Sequence, residues 1–264
     1  MPESDARLSR QVPATMSHFA VVSDIHGNVE ALQAVLAEID RLGLQTIYSL
    51  GDTIGYGPDP VDCVRKVRER CEVWLMGNHE QALVDPVVSY GFNATARQAI
   101  DWTRDQLKAS GDLAGIDALP AYHWEGNLLF VHGSAREPIH EYVRETDDSG
   151  LSTFDDVVSS LEKDFSDFNI CFVGHNHLPF LVTAEGFLHP HSKQREFIVE
   201  GEKLYVSVGS VGQPRDGDPR ACYCTFDGSK VTYHRVAYDW NATAGKIRRT
   251  GLAPRLALRL LQGK

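Results

Sequence analysis

Eight residues of the kinds that ligate metal ions or move protons sit in five short segments of the chain. They are Asp24 and His26 in SDIHGN, Asp52 in GDTIGYG, Asn78 and His79 in GNHE, His132 in VHGS, and His175 and His177 in VGHNH. Carboxylate, amide and imidazole form an oxygen and nitrogen donor set without thiolate. Such a set suits borderline or hard divalent ions such as Mn, Fe(II), Zn or Ni. The donors are numerous enough for two ions rather than one, and a carboxylate such as Asp52 can bridge a pair about 3.5 to 4 Å apart. Taken singly, each residue reads as an ordinary loop or a hydrogen-bonded core group. Their recurrence at successive strand ends is what points to a metal centre.

The elements that must position them are legible as hydrophobic patterns. HFAVVS reads as a buried strand. NVEALQAVLAEIDRLGL follows, with Val29, Leu32, Val35, Leu36, Ile39 and Leu42 at helical spacing and Gly43 as its stop. QTIYSLGD is a second strand, so the chain opens β-α-β, which favours parallel pairing and a right-handed crossover. DPVDCVRKVRERC reads as a helix and EVWLMGN as a third strand. Residues 80–110 read as helical, weakened near Pro86 and Gly91. NLLFVHGS and NICFVGHNH repeat the opening device of an apolar strand ending in polar residues. Between them STFDDVVSSLEKDF is amphipathic, with Ser152 as a helix cap. After residue 180, short alternating runs between Gly and Asp turns predict antiparallel strands. The tail, KIRRTGLAPRLALRLLQGK, is helical with an interruption near Pro254. In parallel α/β sheets, sites gather beyond the carboxyl ends of strands, so residues as distant as Asp24 and His177 are expected to converge. No repeat or linker divides the chain. The expectation is a single α/β domain over 18–264, with an antiparallel portion added late, behind a flexible extension over 1–17.

The chain has 264 residues, 42% hydrophobic and 23% charged, with a formal net charge of -10. That acidity argues against non-specific nucleic-acid binding through a basic face, although metal ions can supply positive charge locally to a phosphate. No apolar run approaches the roughly 20 residues that span a bilayer, and the N-terminus has no apolar core segment of a secretory signal. The five cysteines, Cys63, Cys71, Cys171, Cys222 and Cys224, are odd in number and read as reduced thiols of a cytoplasmic protein. Cys222 and Cys224 form a CxC pair, and strand alternation alone puts both on one buried face.

In order and complete, SDIHGN, GDTIGYG, GNHE, VHGS and VGHNH resemble the motifs of the calcineurin-like metallophosphoesterases, over roughly residues 20–180. The later SVGSVGQPRDGDPRA looks like a stretch of the small bacterial and archaeal phosphodiesterase-like branch. The resemblance implies a four-layer α-β-β-α sandwich, two mixed sheets packed face to face with helices outside. It implies two divalent metal ions, manganese foremost among Mn, Fe, Zn and Ni. Asp24, His26 and His177 would hold the first, Asn78, His132 and His175 the second, and Asp52 would bridge. A water or hydroxide between the ions would be the nucleophile. His79 would protonate the leaving-group oxygen or stabilise the charge developing there. Neither GxSxG nor a thiol loop of the CxxxxxR type is present, which agrees with a reaction that needs no covalent intermediate.

The departures narrow the substrate. Protein Ser/Thr phosphatases of the family read GDxVDRG and RGNHE, whereas Tyr56 and Met76 stand here where phosphate-gripping arginines would be. Gly55 replaces the Asp that would orient His79. Arginine's bidentate fork is what holds a dianionic monoester, so its absence argues against a phosphoprotein phosphatase. Arg215 and Arg220, in GQPRDGDPRA, are the remaining arginine candidates for substrate phosphate; solvated turn charges are the alternative. YGPDP, from Tyr56 to Pro60, is either a substrate-facing rim or a rigid turn. The expected activity is hydrolysis of a small-molecule or nucleotide phosphodiester or monoester, with a small phosphorylated substrate and no membrane or extended nucleic acid as partner. A phosphoprotein phosphatase, a silent scaffold or sensor of the same fold, and a nuclease are the competing readings.

Overall fold

A computed structural model of the protein describes residues 18–145, 168–199 and 203–264. Strand β1 (Phe19–Val22) leads into helix α1 (Val29–Arg41), strand β2 (Thr46–Ser49), helix α2 (Pro60–Arg70) and strand β3 (Val73–Trp74). The three strands pair in parallel, as the opening pattern requires. α1 forms because Val29, Leu32, Val35, Leu36 and Ile39 repeat at helical spacing and are all buried. The Asn28 carbonyl oxygen of the side chain caps it, accepting from the Ala31 N–H at 3.1 Å.

The helical stretch expected over 80–110 divides into α3 (Asn78–Val84), α4 (Pro86–Ser89) and α5 (Ala94–Ser110). Pro86 occupies the start of α4, where a missing N–H costs nothing. Strands β4 (Tyr122–Glu125), β5 (Leu128–Val131), β6 (Ile170–Val173), β7 (Pro179–Thr183), β8 (Gly186–Leu188), β9 (Glu196–Ile198), β10 (Leu204–Val208), β11 (Ala221–Phe226) and β12 (Lys230–Val236) follow. Helices α6 (Trp240–Thr250) and α7 (Pro254–Gln262) end the chain, separated by Gly251 and the turn before Pro254. The helix expected over 152–165 and the extension over 1–17 lie outside the described residues.

The strands form two mixed sheets flanked by helices, in the orders β3-β2-β1-β11-β12-β9 and β4-β5-β6-β10-β7-β8. Alternation decides what faces what. Phe19, Val21 and Tyr48 of the first sheet meet Phe130, Phe172 and Val206 of the second in the core between them. Cys222 and Cys224 point into the same core, both fully buried, so the CxC pair is packing. On the outer face of the first sheet, Ala20, Val22 and Ile47 pack against Leu32 and Val35 of α1 and Cys63 and Val67 of α2.

The late strands are not uniformly antiparallel, as the alternating runs suggested. β10 runs antiparallel to β7 but parallel to β6. Alternation reports which side of a strand is buried and says nothing of its neighbour's direction. The consequence for the site is direct: β5, β6 and β10 are parallel and end at the same edge of their sheet, as β1, β2 and β3 do in theirs. No helix among the described residues is long and apolar enough to cross a membrane.

Candidate metal centre

The loops after β1, β2, β5 and β6 and the start of α3 carry all eight residues, and the structure brings them together. Asp24, His26 and His177 offer ligand atoms within 4.8 Å of one another, as do Asp52, His132 and His175, and as do His26, Asp52 and His79. Asn78 joins them through Oδ1, 3.0 Å from His132 Nε2. Every one of these residues is buried.

Backbone geometry aims them. Among the described residues, six other than glycine have positive φ: Asp24, His26, Asp52, Tyr56, His175 and His177, between 49° and 61°. All six are residues that the sequence singles out. Left-handed backbone costs an L-residue roughly 1 kcal/mol or more, and persists only where the surroundings overdetermine it. Here they do. The Asp24, His26 and Gly27 N–H groups donate to the carbonyls of Gly51, Asp52 and Thr53 at 2.9 to 3.1 Å, lacing the loop after β1 to the loop after β2. The Val211 and Gly212 N–H groups donate to the Ser23 and Asp24 carbonyls, and the Ser210 hydroxyl donates to the Asp24 carbonyl at 2.8 Å. The SVGSVGQPR stretch is thus a clamp on the first motif.

The imidazoles are held as metal ligands are. His26 Nδ1 lies 3.0 Å from the Ile54 carbonyl oxygen, His132 Nδ1 3.0 Å from that of Leu50, and His177 Nδ1 2.7 Å from that of Gln213. A carbonyl oxygen only accepts, so each Nδ1 carries the proton and each Nε2 presents a lone pair, with ring orientation fixed. Those lone pairs converge on other acceptors. His26 Nε2 and His177 Nε2 are 3.1 Å apart, His177 Nε2 is 3.2 Å from Asp24 Oδ1, and Asp24 Oδ1 has no hydrogen-bond donor. His132 Nε2 is 3.4 Å from Asp52 Oδ2. Acceptors buried against acceptors are costly unless a cation lies among them, and this donor set fits divalent metal ions. His175 uses the other nitrogen: its Nε2 lies 3.1 Å from the His140 carbonyl, which leaves Nδ1 bare, and Tyr142 stacks on its ring at 3.7 Å.

The electrostatics state the same demand for positive charge. Burial, with the Asp52 charge adding to it, raises Asp24 to about 7. Against burial, the carboxylates Asp52, Asp24 and Glu80 raise His132 to about 9.

Asp52 Oδ2 stands between the two groups, 3.7 Å from His26 Nε2 and 3.4 Å from His132 Nε2. Its Oδ1 accepts from the His79 N–H at 2.9 Å. Behind it, the Glu80 carboxylate accepts from the N–H groups of Asp52, Thr53 and Gly77 at 2.8 to 3.0 Å. Glu80 was not singled out from the sequence, although a Glu three residues into a helix start is a capping signal. It acts as a positioning residue, tying the start of α3 to the loop that carries Asp52. A Cβ at Gly77 would lie 2.2 Å from Asp52 Oδ1, so only glycine permits this approach.

The His79 ring has no carboxylate hydrogen-bonded to it among the described residues, and Gly55 stands where an orienting Asp would. Its Nδ1 is buried without a partner, and a Cβ at Gly55 would lie 2.0 Å from that atom. The ring is held instead by aromatic neighbours: Tyr56 at 4.6 Å, His26 at 4.7 Å and Phe92 at 5.0 Å. Burial lowers its pKa to about 4. Phe92 and Tyr142 carried no sequence signal, since a lone aromatic in a loop has no periodicity to betray it.

The substrate candidates separate. Tyr56 lies in the site, and its hydroxyl interacts with Arg215. Arg215 Nη2 donates to Gln213 Oε1 at 2.8 Å, while its Nε is buried without a partner. The Arg215 charge acts on Asp24, His26, His79 and His177. Arg220 is not brought to this group. Its exposed guanidinium forks onto the half-buried Asp218, in a surface turn. In the YGPDP segment Tyr56 packs beside His79 and Pro60 opens α2.

The sequence model for the calcineurin-like phosphoesterase family matches residues 17–206. An uncharacterized protein of Methanocaldococcus jannaschii is 36% identical over 255 residues, 94% of this chain and 99% of that protein. The crystal structure of a metallophosphoesterase from Sphaerobacter thermophilus is similar with a TM-score of 0.77 and 35% identity, over 94% of this chain and 99% of that one. Serine/threonine-protein phosphatase 2 of Escherichia coli is 25% identical over 210 residues, 75% of this chain and 90% of that protein.

Proposed function

Because this chain belongs to the calcineurin-like phosphoesterase family, we propose that it is a dinuclear metal-dependent phosphoesterase acting on a small-molecule or nucleotide phosphodiester or monoester. The observation that carries the proposal is the convergence of bare imidazole nitrogens and the donorless Asp24 Oδ1 around Asp52. Asp24, His26 and His177 would hold one divalent ion, and Asn78, His132 and His175 the other. Asp52 would be shared, and manganese is the first choice of metal. Two such ions supply an acidified water and neutralise charge on a phosphate oriented for in-line displacement.

The chain's own residues do the rest. The carbonyls of Ile54, Leu50 and Gln213 hold the tautomers that leave Nε2 available. Neutral His79, with Nε2 4.0 Å from Asp52 Oδ2, offers one N–H where negative charge develops on the leaving oxygen. Arg215 contacts the non-bridging phosphate oxygens through the face that its unpartnered Nε presents. Tyr56, packed beside His79, closes the space in which a phosphoprotein phosphatase would carry an arginine and favours a singly charged diester.

The test is a panel assay on manganese-loaded protein with bis-p-nitrophenyl phosphate, p-nitrophenyl phosphate, cyclic nucleotides and a phosphopeptide. Metal-dependent hydrolysis is expected, with kcat/KM for the diester at least about tenfold above that for the phosphopeptide, in line with one charge-assisted contact forgone. A phosphopeptide cleaved faster than the aryl esters would select the phosphatase reading. No hydrolysis by metal-replete protein would leave a scaffold.

A further inference from the structure

The segment after β5 begins on one residue of the candidate centre and ends on another. His132 follows β5 directly, and from Gly133 the chain folds back on itself. The Gly133 N–H donates to the Pro138 carbonyl at 2.6 Å, and the Ser134 N–H to that of Glu137 at 2.9 Å. The Ser134 hydroxyl donates to the Glu141 carboxylate, which also pairs with Arg136. A Cβ at Gly133 would lie 2.5 Å from the Glu137 carbonyl oxygen, so the turn leaves no room for a side chain there. Val143 anchors the returning chain, buried in one cluster with Val131 of β5 and Val173 of β6. Two groups of this loop then hold His175. The His140 carbonyl oxygen accepts from His175 Nε2 at 3.1 Å. The Tyr142 ring stacks on the imidazole, with centroids 3.7 Å apart and planes inclined by 27°. The Arg144 guanidinium lies 4.5 Å from the centre of the same tyrosine ring. Tyr142 is itself 39% exposed. Val143 therefore does the burying, and the tyrosine beside it covers a candidate ligand.

We propose that Tyr142 is a positioning residue for His175, and that it sets the metal affinity of one half of the centre alone. An imidazole held by one hydrogen bond can still tilt about that bond. A stacked aromatic ring removes the tilt and fixes where the bare Nδ1 lone pair points. The segment that supplies this stack starts at His132, so both histidines of that half are held by one stretch of chain, their rings 4.9 Å apart. In the other half, His26 and His177 are fixed by the carbonyls of Ile54 and Gln213, which belong to other loops. The inference rests on the metal-dependent phosphoesterase reading and goes beyond it in making the two halves unequal.

Manganese calorimetry on Tyr142→Leu and Tyr142→Phe beside the wild type reads the effect without turnover. In Tyr142→Leu one ion is expected to bind about 10- to 100-fold more weakly, the usual scale for losing a partner of a metal ligand, and the other about as in wild type. Tyr142→Phe keeps the ring and is expected to match the wild type. Anomalous scattering from manganese-soaked crystals of the leucine variant assigns the loss to the peak beside Asn78, His132 and His175. Unchanged binding of both ions in Tyr142→Leu, an equal loss at both, or a phenylalanine variant as weak as the leucine one overturns the role. So does a metal-free leucine variant that melts well below wild type, which would mark a structural part for an exposed ring. The metal-free crystal structure of Tyr142→Leu separates this inference from the function beneath it. A His175 ring tilted away from the His140 carbonyl, in protein that takes up no manganese even as wild type, would keep the positioning role and sink the phosphoesterase reading. A ring unmoved, in a variant that binds two ions and cleaves esters as wild type does, would do the reverse. A ring unmoved in protein that takes up no manganese would sink both.

Discussion

Asp52→Asn is expected to lower kcat/KM for phosphate-ester hydrolysis on the order of 10³-fold, the equivalent of several kcal/mol of charge stabilisation. The substitution is nearly isosteric. An Asn oxygen can still accept from the His79 N–H that now bonds Asp52 Oδ1, and the Glu80 contacts to the Asp52 and Thr53 backbone are untouched. What disappears is the charge on Oδ2, the atom that faces both His26 and His132. Because one atom serves both halves, affinity for both ions should fall together, where loss of a ligand private to one half would weaken one. Thermal melts separate this from misfolding. The metal-free variant loses the attraction of His132, His79 and His26 for the Asp52 carboxylate as well as its repulsion with Asp24, so each protein's own metal-free melt is the reference. The rise in Tm on adding manganese, a linkage effect of binding to the folded state alone, should shrink. A variant that melts early without metal but keeps the full metal-induced rise would contradict the bridging role.

His79→Ala is expected to keep its metal and lose rate, by about 10² to 10⁴-fold for esters with alkoxide leaving groups. The loss should be much smaller with p-nitrophenolate, which departs without help from a hydrogen-bond donor. The prediction follows from placement. His79 sits 4.0 Å from Asp52 Oδ2, but its Nδ1 has no carbonyl partner of the kind that fixes His26, His132 and His177 as lone-pair donors. It is walled by Tyr56, Phe92 and the bare backbone of Gly55. Metal analysis beside leaving-group kinetics decides. If the alanine variant loses an ion while its rate per bound metal is unchanged, His79 is a ligand and not a donor to the leaving group.

The parts of this site that were legible in the sequence are those tied to strand ends. A buried strand is an apolar run, and the first polar residue after it marks where the chain turns, so Asp24, Asp52, Asn78, His132 and His175 announce themselves by position. The order of the strands is not written that way. β10 inserts between β6 and β7, a long-range pairing that no local pattern encodes, and this insertion carries Gln213 and Arg215 to the ligands. Side chains that act through space alone were also silent. Phe92 and Tyr142 lie in irregular segments, where no periodicity singles them out. Arg215 and Arg220, five residues apart in one turn-rich stretch, were indistinguishable in sequence. The carboxylate of Asp218 beside Arg220 separates them in space.

The most direct test of the dinuclear centre is a crystal structure of manganese-soaked protein with anomalous scattering recorded at a wavelength where manganese contributes strongly. Two anomalous peaks about 3.5 to 4 Å apart are expected, one against Asp24, His26 and His177, the other against Asn78, His132 and His175, with Asp52 Oδ2 reaching both. No peak, or a single peak outside that ring of residues in manganese-saturated crystals, would contradict the account.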